Sequence, residues 1–219
     1  MNEISLILHT CDKYSFCWDP FFKFTDGKLI DCRKYFCTEE LSIDREDWIN
    51  LKTGLGEWSN RLITILNTID TPYIAYMQED FWPYRKLELE IFNKCFTDLK
   101  DENLSAFYIT SRPPNRPEFG IFKDHSSFEG YQILEFAEES PYLLNHQFGI
   151  WNRLDLLDLL IENESPWNNE IHGTHRIRKA GNHNKYRVID FSWYNTVVRK
   201  GQFTDDAYSM LQNSNQSAK

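Results

Sequence analysis

Thr71-Pro72-Tyr73-Ile74-Ala75-Tyr76-Met77-Gln78-Glu79-Asp80-Phe81 is the stretch whose reading decides the fold. Tyr73–Met77 is apolar throughout, as suits a strand covered on both faces. It runs without a break into an amide and two carboxylates. Ahead of it, Thr71-Pro72 ends a helix, because the residue before a proline is pushed out of helical dihedrals. That helix is legible in Trp58, Leu62, Ile65, Leu66 and Ile69, which recur at helical spacing. Helix, stop, buried strand and acidic exit together make one α/β unit.

Working outward, Ile4–Thr10 reads as an opening buried strand with a polar end, and Cys11–Pro20 as a loop. A second helix is expected over Lys86–Leu99, with Leu89, Phe92, Phe96 and Leu99 on one face. Leu104–Thr110 is the next buried strand. This alternation predicts a parallel α/β core. A proline-rich loop, Arg112–Pro117, interrupts it. Beyond lie expected strands at Tyr131–Phe136 and Tyr142–Trp151, a helix over Asn152–Ile161 capped by Asn152, and a strand at Tyr186–Phe191. Gln212–Lys219 is polar. The expected organisation is one domain over 1–205 and a polar tail or linker over 206–219.

Composition narrows the chemistry. A formal charge of −9 disfavours broad contact with nucleic acid or an anionic membrane. The aromatic fraction of 16% leaves rings for both a core and a cleft that stacks sugars or bases. Cys11, Cys17, Cys32, Cys37 and Cys95 form no paired C-x-x-C, so a zinc ribbon is not expected. No apolar run approaches the ~20 residues of a membrane span, and Ile4–Leu8 is too short for a signal core. The expectation is a soluble, cytoplasmic protein.

In open α/β sheets ligands bind beyond the carboxyl ends of the strands. Thr10-Cys11-Asp12 and Gln78-Glu79-Asp80 fall at such ends, and Trp167-Asn168-Asn169-Glu170 follows a later strand–helix unit. Glu79 and Asp80 either hold a divalent cation, with hard oxygens suiting Mg²⁺ or Mn²⁺, or they cap the next helix or pair with Arg85. Arg61 offers a phosphate contact or a surface ion pair. Glu170, read as closing the loop Glu164–Glu170, suits a base toward a hydroxyl. His172 and His175, at i and i+3, offer a metal ligand, a phosphate contact or plain structural hydrogen bonds.

These residues resemble a known family. Trp58-Ser59-Asn60-Arg61-Leu62 through Thr71–Phe81 is similar to the donor-binding half of small GT-A glycosyltransferases. The likeness is to transferases of bacterial surface-polysaccharide clusters and to the glycosyltransferase domain of chlorella-virus capsid glycosylation proteins. Gln147–Asn152, Ser165-Pro166-Trp167 with Glu170, and Tyr194-Asn195 with Lys200–Phe203 extend it over most of the chain.

The resemblance implies a GT-A-like α/β domain with a mixed, mostly parallel central sheet flanked by helices. It further implies metal-assisted transfer of a sugar from a nucleotide-sugar, a UDP-sugar by preference, to a glycan or glycoprotein acceptor. Carried over, Thr10 and Asp12 hold the nucleoside, and Arg61, Gln78 and Glu79 complete the donor site. Asp80 and His175 bind Mn²⁺ or Mg²⁺, Glu170 and Asp80 serve catalysis, and Trp167 and His146 meet the acceptor. One departure stands out: Gln78 takes the place of the first Asp in the usual metal motif. An idle nucleotide- or glycan-binding module on the same fold is the alternative. A hydrolase built on Asp80, Glu170, His172 and His175 lacks ligands, and Gly54-Leu55-Gly56 is too short for a phosphate loop.

Overall fold

The computed structural model describes residues 2–110 and 120–216. Its strands and helices, in chain order, are β1 (Ile4–His9), α1 (Trp18–Thr25), β2 (Arg33–Thr38), β3 (Ile49–Lys52), α2 (Trp58–Thr68), β4 (Tyr73–Met77), β5 (Phe81–Pro83) and α3 (Leu89–Asp101). There follow β6 (Ala106–Thr110), β7 (Phe122–Phe128), β8 (Tyr131–Phe136), β9 (Gly149–Asn152), α4 (Arg153–Asp158) and α5 (Pro166–Lys179). The chain ends with β10 (Tyr186–Asp190), β11 (Tyr194–Thr196), β12 (Val198–Arg199), β13 (Gln202–Phe203) and α6 (Asp205–Gln216).

The central sheet runs β3-β2-β1-β4-β9-β6-β10-β8-β7. β1 to β4 are parallel neighbours, and β6 and β10 run the same way. β9 is inserted antiparallel between β4 and β6. The carboxyl ends of β1, β2, β4, β6 and β10 therefore share one rim with the start of β9. This is the expected mixed, mostly parallel sheet.

Tyr73–Met77 is continuously apolar because it has no solvent face. Ala75 and Met77 pack with α1 and α3, while Ile74 and Tyr76 pack with α2, α4 and α5. α2 presents Leu62, Ile65 and Leu66 to the second core, all fully buried. It leaves helical dihedrals at Ile69, just ahead of Thr71-Pro72. Asn152 caps α4 as expected, its side chain accepting from the Leu154 and Asp155 amides.

Four expectations need correction. Cys11–Pro20 is not a loop: a 3-10 turn over Asp12–Cys17 leads into α1. Pro20 sits in the first turn of α1, where an amide proton is not needed. Glu164–Glu170 is likewise not a loop. Ser165 accepts from the Asn168 amide, Pro166 takes the first helical position, and Glu170 lies inside α5. The expected strand Tyr142–Trp151 shrinks to its last part as β9. The polar end folds as α6, which buries Ala207 and packs Met210 and Leu211 on the core. Arg112–Pro117 lies outside the described residues.

Gly149 admits β9 between its neighbours. A Cβ there would sit 3.0 Å from Tyr108 Cδ1, 3.2 Å from the Phe107 carbonyl and 3.3 Å from Tyr108 Cα. Backbone atoms cannot swing aside, so Gly149→Ala should cost about 1–3 kcal/mol by overpacking. Urea unfolding checks this as a lower midpoint at unchanged slope.

Candidate active site

The exit of β4 places two carboxylates at the rim. Glu79 is 8% exposed. Its carboxylate receives the Thr10 hydroxyl, which in turn receives the Trp18 indole N–H at 3.0 Å. Asp80 is anchored through its backbone, whose carbonyl accepts from the Val197 amide at 2.8 Å. The pairing of β11 with β5 holds this stretch from the other side. One carboxylate oxygen of Asp80, Oδ1, is buried with no partner among the described residues. Burial raises both acids well above the ordinary carboxylate range, and Glu79 is raised further by Asp80 beside it.

Thr10, Asp12 and Arg61 gather at the end of β1, but they mostly bind one another's neighbourhood. Arg61 Nη1 donates to the Thr10 carbonyl at 2.6 Å, and its Nε faces Glu39 Oε1 at 3.8 Å. Glu39, at the end of β2, accepts the Asp12 amide at 3.0 Å. The Asp12 carboxylate returns the favour, accepting the Glu40 and Leu41 amides. At 7% exposure, Arg61 is a buried clasp across β1, β2 and α2. Its ion pair with Glu39 is thus buried rather than at the surface. Arg85, the alternative partner for the acids, instead donates to the Ser192 carbonyl and faces Glu88.

Across the rim, the segment entering β9 meets α5. The His146 amide donates to Glu170 Oε1 at 2.9 Å, while the His146 ring nitrogen Nε2 lies 3.1 Å from Asn169 Oδ1. Asn169 spends its NH₂ on the Leu159 carbonyl and Glu164 Oε2, so its oxygen can only accept. His146 Nε2 therefore carries the proton. Burial drives the His146 ring down to about 3, and the ring packs tilted against Trp58 with centroids 4.4 Å apart. The residue is 5% exposed, and through its backbone amide it supports Glu170. Burial raises Glu170 to about 7 against the His146 hydrogen bond. Glu164 stays ionised: burial opposes this, but hydrogen bonds from Arg176, Asn169 and His172 bring it down to about 2.

Of the remaining expected residues, Trp167 is 71% exposed at the start of α5, one helical turn before Glu170. Gln78 donates to Tyr76 Oη at 3.0 Å. His175 is exposed on α5. Among the described residues no three His, Cys, Asp or Glu side chains gather as a metal site, so His175 is not joined to Asp80 in one. The Asp80 oxygen left without a partner among the described residues is the kind of hard donor a divalent cation takes. Three residues were given no role at the site in the sequence reading: Glu39, Tyr76 and Tyr194. Tyr194 Oη accepts the Phe148 amide at 3.2 Å and donates to Gln147 Oε1 at 2.8 Å. Only their chain-distant partners reveal them.

Solved structures share this architecture. UDP-glucose pyrophosphorylase complexed with UDP-glucose superposes with a TM-score of 0.62 at 11% identity, over 100% of both chains. The chain has a GT-A-like fold. S. aureus TarS 1–349 in complex with UDP-GlcNAc matches with a TM-score of 0.60 at 13% identity, over 93% of this chain. The chain spans 60% of the length of that TarS structure. CMP:2-keto-3-deoxy-manno-octonic acid synthetase with CTP matches at 0.53 and 12% identity, over 100% of both chains. No protein-family model and no curated protein matches the sequence. No helix among the described residues is long and apolar enough to cross a membrane.

Glu170 yields a pH prediction. Its folded value, about 7, lies above the ordinary glutamate value of 4.5, so the folded state holds that proton more tightly. The resulting stability is full below pH 4.5 and is lost as pH rises through 7. Buried His9 and His146 act oppositely below pH 6.5, so the comparison must be a difference. The melting temperature of Glu170→Gln relative to wild type should rise between pH 5 and pH 8, read by thermal melts. A flat or falling difference would remove the buried-acid account.

Proposed function

We propose that this chain transfers a sugar from a nucleoside-diphosphate-sugar to a hydroxyl of a glycan or glycoprotein acceptor, assisted by a divalent cation. The observation that carries this reading is Asp80, whose buried carboxylate oxygen, without a partner among the described residues, stands at the exit of a doubly covered strand. Such an oxygen is costly unless a ligand completes it. A uridine donor is supported by the neighbours solved with UDP-GlcNAc and UDP-glucose.

Asp80, with Glu79 behind it and the donor phosphates in front, would hold Mn²⁺ or Mg²⁺. When bound, the cation neutralises charge that develops on the departing diphosphate. Thr10 keeps Glu79 in place, and the Arg61–Glu39 clasp shapes the nucleoside side of the pocket. Trp167 offers an exposed indole face to an acceptor ring. Glu170 has Oε1 fixed by the His146 amide, which leaves its second oxygen for the acceptor hydroxyl. The acceptor oxygen bonds to the anomeric carbon as the sugar–phosphate bond breaks, and its proton passes to Glu170. The electron pair of the broken bond leaves with the diphosphate. A base in this role makes the transfer a single displacement, with inversion at the anomeric carbon. At about 7, Glu170 is matched to proton transfer near neutral pH.

The first test is calorimetric titration of UDP and GDP with and without Mn²⁺, on wild type and Asp80→Ala. Metal-dependent binding of one nucleotide, lost in the variant, is expected. Turnover of the matching nucleotide-sugar with acceptor should then fall about 10²–10⁴-fold in Glu170→Gln. No nucleotide binding under any metal condition would sink the transferase reading in favour of an idle binding module. Release of pyrophosphate from UTP and a sugar phosphate would redirect it to nucleotidyl transfer.

A further inference from the structure

Among the described residues the Glu170 carboxyl has one hydrogen bond, from the His146 amide to Oε1 at 2.9 Å. The next residue back on α5 holds the other end of the same histidine: His146 Nε2 lies 3.1 Å from Asn169 Oδ1. Two consecutive side chains of one helix thus grip His146, one by its backbone and one by its ring. This inference rests on the reading of Glu170 as the base in sugar transfer.

Every polar group in the grip has a fixed direction. Asn169 is fully buried, and its Nδ2 lies 3.2 Å from the Leu159 carbonyl and 2.8 Å from Glu164 Oε2. A carbonyl cannot donate, and Glu164 is held as a carboxylate by Arg176, whose Nη1 and Nη2 reach its two oxygens at 2.9 and 2.8 Å. The NH₂ of Asn169 must therefore face Leu159 and Glu164, which turns its oxygen to His146 and puts the ring proton on Nε2. The ring also packs against Trp58 and Tyr76, with centroids 4.4 and 5.8 Å away. The backbone ahead of it is set by side-chain acceptors. The Leu143 and Leu144 amides donate to Thr174 Oγ1, one turn beyond Glu170 on α5, and the Asn145 amide donates to Tyr108 Oη.

We propose that Asn169 is a positioning residue for sugar transfer: by holding the His146 ring it keeps the His146 amide on one oxygen of Glu170, which leaves the other for the acceptor hydroxyl. Glu164 and Arg176 serve by fixing Asn169. Without the ring contact, α5 holds His146 at a single point, and the carboxyl can swing with it.

The grip has a signature in the Glu170 proton. Burial raises Glu170 and the His146 hydrogen bond opposes it, leaving a value of about 7. The titratable groups around it keep one charge state near that pH. Burial holds Tyr108 protonated and the His146 ring neutral, and Glu164, despite burial, stays ionised on Arg176.

The test is Asn169→Ser on the full chain, since a serine hydroxyl is too short to span Leu159, Glu164 and His146. Carbon NMR of glutamate-labelled protein, with Glu170→Gln assigning the signal, should show the Glu170 midpoint raised by about one pH unit, as for a lost hydrogen bond to the charged form. Turnover of nucleotide-sugar with acceptor should fall about 10²-fold, the scale of a misplaced catalytic group. Nucleotide binding should not change, and in a Glu170→Gln background the loss should vanish. If Asn169→Ser does not fold, Glu164→Gln breaks the same chain at constant volume and should move both readouts the same way. An unmoved or lowered midpoint, an equal loss in the Glu170→Gln background, or a wild-type His146 proton on Nδ1 by nitrogen NMR overturns the grip and leaves the transferase reading intact. A raised midpoint, in a protein whose wild type transfers no sugar from UDP- or GDP-sugars, supports the grip and overturns that reading instead.

Discussion

The structure turns on burying two adjacent carboxylates at the end of a strand with no solvent face. Ionised carboxyls removed from water are among the costliest groups a fold can contain. β4 nonetheless delivers Glu79 and Asp80 straight from its doubly packed apolar run. Much of the surrounding architecture compensates for that placement. Thr10 satisfies Glu79, Trp18 satisfies Thr10, and the Val197 amide and β11 fix the backbone of Asp80. Among the described residues Asp80 Oδ1 is left without a partner, and the rest of the rim is held rigid around it.

That rigidity comes from contacts between strand ends rather than from the sheet alone. Arg61 and Glu39 bind the ends of β1 and β2 to α2, and the Asp12 carboxylate closes the 39–41 turn. On the opposite side, Arg176 and Glu164 anchor Asn169, which fixes the His146 ring, whose amide in turn holds Glu170. Ionised Glu164 and proton-retaining Glu170 sit six residues apart on one stretch of chain. They differ because Glu164 meets a guanidinium and Glu170 meets only an amide. Environment, not residue type, assigns each carboxyl its charge.

Much of the fold could be read directly. β1, α2, β4, β6 and the Asn152 cap follow from hydrophobic period, proline placement and capping chemistry, all local properties. α1 and α5 escaped because each carries a proline early in a helix, and Glu164–Glu170 has too little apolar character to show a period. β7 escaped because it is a polar edge strand with little to bury. The acidic pair was visible as two carboxylates at a strand exit. The work of Arg61, Asp12 and His146 was not, since their partners lie 51, 27 and 24 residues away. Local pattern reads each as a ligand contact, and the fold shows in addition that these groups tie the strand ends of the rim together.

Gln78 makes physical sense against this background. A third carboxylate at the same rim would add a charge beside Glu79 and Asp80, whose ionisation is already opposed by burial and by each other. It would also do so on a chain that carries a formal −9. An amide adds no such repulsion. Gln78 Nε2 donates to Tyr76 Oη at 3.0 Å, and Tyr76 Oη lies 3.2 Å from His9 on the neighbouring parallel strand, so the residue is tied to the buried face of the sheet. A glutamine is neutral at every pH, which leaves the charge at the exit of β4 to Glu79 and Asp80.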